Sequence, residues 1–168
     1  MCVYQFRDGH KCQLKNEGQG FCYWHDPTID KSGKNLAEAL EKVIKAGHCM
    51  EGASLKRANL EGINLVCHGS NKNYSLARAD LYRANLRNAH LFRIDMTEAS
   101  LMKADCREAN LHFACLKKVN LLGARLEGAK IENIEWGKQL LHEEKGIDAA
   151  REGRVQESID FFEQAEEI

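Results

Sequence analysis

From Ala53 to Lys138 the chain repeats every five residues, and that period excludes most folds at once. Read in fives the segment runs ASLKR, ANLEG, INLVC, one extra residue (His68), then GSNKN, YSLAR, ADLYR, ANLRN, AHLFR, IDMTE, ASLMK, ADCRE, ANLHF, ACLKK, VNLLG, ARLEG, AKIEN and IEWGK. That is 17 units and one insertion across 86 residues. The third place is Leu in twelve units and Asn71, Met96, Cys106, Ile131 or Trp136 in the others. The first place is usually Ala, the second mostly Asn, Asp or Ser, and the last two vary freely. Five matches neither the 3.6 of a helix nor the 2.0 of a strand. On a helix, leucines five apart would turn about 500° per step and scatter around the surface. No unit can bury its Leu alone, so the units must stack into a solenoid with one shared core.

The A-(N/D/S)-L-x-x pattern resembles the pentapeptide-repeat family over about half the chain. The resemblance implies an all-β solenoid, a right-handed quadrilateral β-helix with four units per coil. Leu-type and small residues would point inward and the other three places outward. Roughly four coils would each rise ~4.8 Å, one strand spacing. Gly69-Ser70-Asn71-Lys72-Asn73, with His68 before it, departs from the pattern and reads as a loop from an early coil.

An open solenoid exposes unpaired backbone edges and needs caps. Asn35-Leu36-Ala37-Glu38 has the spacing of a capping box, with Asn35 as the N-cap. Leu36, Leu40, Val43 and Ile44 follow on one helical face, and Gly47 supplies a stop. Beyond Trp136 the period ends, and residues 139–168 read as two helices joined around Gly153. Part of this tail looks like a tetratricopeptide repeat, with Gly153, Ile159, Phe162 and Ala165 at the packing positions. The expected organisation is therefore 1–34, a zinc module; 35–52, a capping helix and lead-in; 53–138, the β-helix; and 139–168, a C-terminal helical pair.

Cys2, Cys12, Cys22 and His25 have the spacing C-x9-C-x9-C-x2-H. Three thiolates and an imidazole suit a closed tetrahedral Zn²⁺ site, and the C-x2-H end can place two ligands on one ion from a tight knuckle. A segment this short, even with Phe6, Phe21, Tyr23 and Trp24, needs the stability that metal binding supplies. His10 is the alternative fourth ligand. The arrangement resembles the zinc motif of the plant WRC domain, including Asp8-Gly9 before Cys12 and Phe21-Cys22-x-x-His25. The family spacing has one more residue between the second and third ligands. WRC domains are linked to DNA binding and are rich in basic residues, whereas residues 1–34 here are net +1.

The whole chain has 24 basic and 25 acidic residues, which excludes a globally basic nucleic-acid binder. The charge is segregated: residues 1–52 are net zero, 53–138 net +5 and 139–168 net −6. Some pentapeptide-repeat proteins bind DNA gyrase by imitating the shape and charge of duplex DNA. That needs a strongly acidic surface, so a repeat region of net +5 does not take the activity over. No Gly-rich phosphate loop, HExxH or GxSxG motif occurs, Cys106 takes an inward place, and nothing marks Cys115, His68, His90 or His112 as activated. The chain therefore reads as non-enzymatic.

With 20 residues per coil, Tyr82, Met102 and Leu122 stack as one outward column, and another face groups Phe92 with His112 and Phe113. Such columns mark a contact surface. The expectation is a scaffold that binds a protein partner or forms a homodimer, with nucleic-acid binding through the zinc module and positive repeats as the alternative. No apolar run reaches the ~18 residues of a membrane helix. Without an apolar leader, and with seven cysteines in no disulfide framework, the expected location is cytoplasmic.

Overall fold

The five-residue unit becomes a structural unit through its turn. The N–H of the first place donates to the carbonyl of the preceding third place in most units, as in Ala58 to Leu55 at 3.2 Å and Ala84 to Leu81 at 2.9 Å. The fifth place carries positive φ, from +54° to +59° at the non-glycine positions between Arg57 and Asn133. This is the third residue of a turn that glycine would fill without strain, as Gly62, Gly123 and Gly128 do. The second place stabilises the same turn. Side-chain oxygens of Asn59, Asp80, Asn85, Asp95, Asn110 and Asn120 each accept from the N–H two residues on, at 3.0–3.2 Å. The preference for Asn, Asp and Ser is thus turn chemistry.

The computed structural model describes residues 1–16, 20–66 and 74–136. Successive coils pair in parallel at steps of 20 residues: Ser75 with Asp95, Asp80 with Ser100, Asn85 with Asp105, His90 with Asn110. Twenty residues are four units of five, so each coil has four sides. Lower down the step is 26, pairing Ser54 with Asp80, Asn59 with Asn85 and Asn64 with His90. The six extra residues equal in number His68 plus the unit GSNKN, which lie outside the described residues. Conversely, the five-residue turn also occurs in the unit just before Ala53. Met50 is fully buried in an inward place, Ala53 N–H donates to its carbonyl at 3.1 Å, and Gly52 has φ +69°. His48 and Cys49 hid this unit by replacing the small and Asn-type residues.

The core is the stack of inward places. Leu55, Leu60, Leu81, Leu86 and Leu101 are fully buried, as are Ala53, Ala58, Ala79 and Ala104. Each buried Leu contributes about 1.5–3 kcal/mol. The first place is mostly Ala, but the core also takes Ile63 and Ile94 there, both fully buried.

Helix α1 spans Ala37–Lys45, buries Leu40 and Ile44, and ends before Gly47 at φ +91°. Its N-cap is Leu36, without a side-chain cap bond, so the expected capping box does not form. Asn35 is instead committed to the ladder, pairing with Asn59, while its side chain accepts from Ala37 N–H at 3.3 Å. The chain before α1 covers the open edge of the first coil: Ser54 N–H donates to Trp24 O at 2.8 Å and Leu36 N–H to Asn59 O at 2.9 Å. The expected C-terminal helical pair lies outside the described residues.

Candidate metal centre

Residues 2–14 form a β-hairpin. Cys12 N–H donates to Tyr4 O at 2.9 Å, Cys2 N–H to Leu14 O at 2.9 Å, and Gln5 pairs antiparallel with Lys11. Even-numbered residues of both strands share one face. Cys2 and Cys12 are therefore diagonal neighbours on it, with Tyr4, Phe6 and Leu14 beside them. Cys22 and His25 arrive on a knuckle in which His25 N–H donates to Cys22 O at 3.1 Å. Cys22 N–H then donates to Cys2 Sγ at 3.1 Å, joining knuckle to hairpin.

The four ligand atoms of Cys2, Cys12, Cys22 and His25 lie within 4.8 Å of one another, and all four residues are buried. Cys12 Sγ to Cys22 Sγ is 3.8 Å, Cys22 Sγ to His25 Nδ1 is 3.1 Å and Cys2 Sγ to His25 Nδ1 is 4.0 Å. A tetrahedral ion with bonds of ~2.3 Å to sulfur and ~2.0 Å to nitrogen needs S···S edges of ~3.8 Å and S···N edges of ~3.6 Å. The observed edges straddle these lengths, so the group can hold a four-coordinate metal. His10 is not part of it; its ring pairs with Asp8 at 3.1 Å on the exposed hairpin tip.

His25 is set for ligation by its surroundings. Its Nε2 lies 3.1 Å from Glu51 O, which accepts the Nε2 proton and leaves the Nδ1 lone pair facing the thiols. Tyr4 stacks on the ring at 4.2 Å and 11°, and Phe6 meets it edge-on at 5.8 Å. Burial lowers the His25 pKa to about 4, so the imidazole is neutral. Burial pushes Cys12 up to about 12 and raises Cys22. Burial also acts on Cys2, but backbone hydrogen bonds involving Tyr4 and Cys22 outweigh it and lower that thiol. A bound divalent cation deprotonates such thiols outright.

Tyr4 and Glu51 are the parts the sequence did not reveal. The alternation Cys2-Tyr4-Phe6 was a readable signal for Tyr4, whereas the Glu51 contribution is a main-chain carbonyl and leaves none. Through Glu51 and Trp24 the centre is joined directly to the first coil.

The ladder also arranges the predicted outward residues. Tyr82, Met102 and Leu122 lie in register and are half-buried, with the Arg83 guanidinium 5.2 Å from the Tyr82 ring centroid. Phe92 and the half-exposed Phe113 meet edge-to-face at 5.6 Å, and His112 pairs with Glu132 at 2.6 Å. Cys106 is fully buried, as its inward place requires.

The family model "Pentapeptide repeats" matches eight copies over residues 79–112 and 104–134. A pentapeptide repeat protein from Nostoc PCC 7120 is 32% identical, over 64% of this chain and 88% of that one, with a TM-score of 0.31. A pentapeptide repeat protein of the Arabidopsis thaliana thylakoid lumen is 30% identical over 49% of this chain, TM-score 0.26. One from the cyanobacterium Cyanothece 51142 is 28% identical over 52% of this chain, TM-score 0.21. The chain spans 57% of the Arabidopsis protein and 63% of the Cyanothece protein. No curated protein matches. The chain belongs to the pentapeptide-repeat family. Among the described residues no helix is long and apolar enough to cross a membrane.

Proposed function

We propose that the chain is a non-enzymatic scaffold, a right-handed β-helix closed at its N-terminal end by structural zinc, which binds a protein partner or a second copy through its outward side chains. Zinc is the ion suited to three thiolates and one imidazole in a closed tetrahedral shell without redox chemistry. The free thiols fit a reducing, cytoplasmic setting.

The observation that carries the binding reading is the uneven charge around the solenoid. The side bearing the Tyr82–Met102–Leu122 column also bears Lys56, Arg57, Arg83 and Lys103 against Asp80, net +3. The next side bears Arg87, Arg107 and Arg125 against Glu61, Asp105, Glu108 and Glu127, net −1. An apolar column edged by cations suits an apolar segment that carries acidic groups. Phe92 and Phe113 form a smaller contact on another side. The test uses the full chain as bait beside Met102→Glu, and Asn88→Asp on the neighbouring side as control. Loss of the bound protein, or of self-association, with Met102→Glu alone supports the reading. A monomer with no bound protein, or equal retention by all three, overturns it.

The same cations beside Tyr82, together with the WRC-like ligand spacing, favour nucleic-acid binding as the second reading. Its affinity would fall by a log–log slope of about 0.7–0.9 per phosphate contact as salt rises. No retention on DNA or RNA at low salt removes it.

A further inference from the structure

Lys31 is 2% exposed, yet it is the kind of side chain that stays in water unless its charge is balanced. Its Nζ donates to the main-chain carbonyl of Asp26 at 3.1 Å and lies 5.1 Å from the Tyr23 ring centroid. Neither neighbour carries a formal charge at its contact point. The Asp26 side chain turns to Thr28, its Oδ1 accepting from Thr28 N–H at 2.8 Å and from Thr28 Oγ1 at 2.6 Å. The bonded carbonyl belongs to the residue after His25, so the ammonium sits against the knuckle. Burial drives the Lys31 pKa down, while Asp26 and Cys22 oppose the shift and Lys34 adds to it; Lys31 in turn lowers His25.

A divalent ion on three thiolates and a neutral imidazole leaves one net negative charge in a buried cluster. We propose that Lys31 is the buried counter-charge of this metal centre, a positioning residue that makes the three-thiolate state neutral overall. This rests on the zinc reading above. It accounts for a lysine beneath the surface without a carboxylate bond, and it places the compensating charge on the knuckle side, away from the Glu51 carbonyl that orients His25.

The test compares the full-length wild type with Lys31→Met, which keeps length and removes charge, and with Lys31→Arg, which restores it. Zinc affinity is read by competition with a chromophoric chelator, and the urea midpoint is read with and without zinc. The expected result is at least tenfold weaker zinc binding in Lys31→Met, largely recovered in Lys31→Arg. The zinc-induced rise in midpoint shrinks, and the metal-free midpoint does not fall. Equal zinc affinity in wild type and Lys31→Met overturns the inference alone. So does a Lys31→Met midpoint that drops equally with and without zinc, since that would make Asp26 the partner. A wild type that takes up no zinc overturns both this inference and the zinc reading. The affinity arm stands whether or not the metal-free chain folds.

Discussion

Gly52 and Gly62 form a matched pair for testing how the metal centre is joined to the β-helix. Both close a turn at the fifth place, at φ +69° and +67°. Alanine at either costs roughly 1–2 kcal/mol for the left-handed backbone alone. Around Gly62 a methyl group meets nothing within 4 Å. At Gly52 it overlaps Tyr4 Oη and Cζ and comes within 3.1 Å of Cε2. Tyr4 cannot simply rotate aside, because its ring is stacked on His25 at 4.2 Å. Overpacking adds roughly 1–3 kcal/mol, and losing the stack adds about 0.5–1.5 kcal/mol. Gly52→Ala should therefore destabilise by roughly 1.5–4.5 kcal/mol more than Gly62→Ala. Urea denaturation of both variants with zinc supplied measures the difference, and Gly52→Ala alone should also weaken zinc binding. Equal losses in the two variants would refute the contact.

Leu86→Ala, in a fully buried inward place, should cost about 2–5 kcal/mol by urea denaturation; a loss under about 1 kcal/mol would deny the shared core. In metal-free protein, His25 titrates near 4 folded and near 6.5 unfolded, so unfolding takes up a proton between those values. The stability from neutral burial of His25 is complete above pH 6.5 and is lost as the pH falls toward 4. A pH series of urea midpoints on metal-free protein should show that limb, and His25→Gln should lack it.

The repeat was legible because its code is redundant. Leu at one place and a small residue at another recur often enough that Cys106 or Met96 does not break the frame. The unit around Met50 was hidden because His48 and Cys49 keep neither the small nor the turn-forming residue. The fifth place read as free because arginine, glutamate and asparagine all adopt the left-handed turn there, so side-chain identity conceals a backbone requirement. Asn35 shows a local signal overridden by tertiary structure: its capping-box spacing is genuine, but pairing with Asn59 takes it into the ladder. The cluster of Cys2, Cys12, Cys22 and His25 was readable from spacing, since Cys2 and Cys12 need only a hairpin and Cys22-x-x-His25 only a knuckle. What orients His25 was not, because a backbone carbonyl has no sequence signature.

A metal that closes the N-terminal end of this β-helix must accompany the chain through purification. The direct measurement is zinc per chain by elemental analysis, on protein purified without added metal, for wild type and Cys22→Ser. About one zinc per wild-type chain, and little or none in the variant, is the expected result. A wild type without zinc, or a variant that retains it in full, would contradict it.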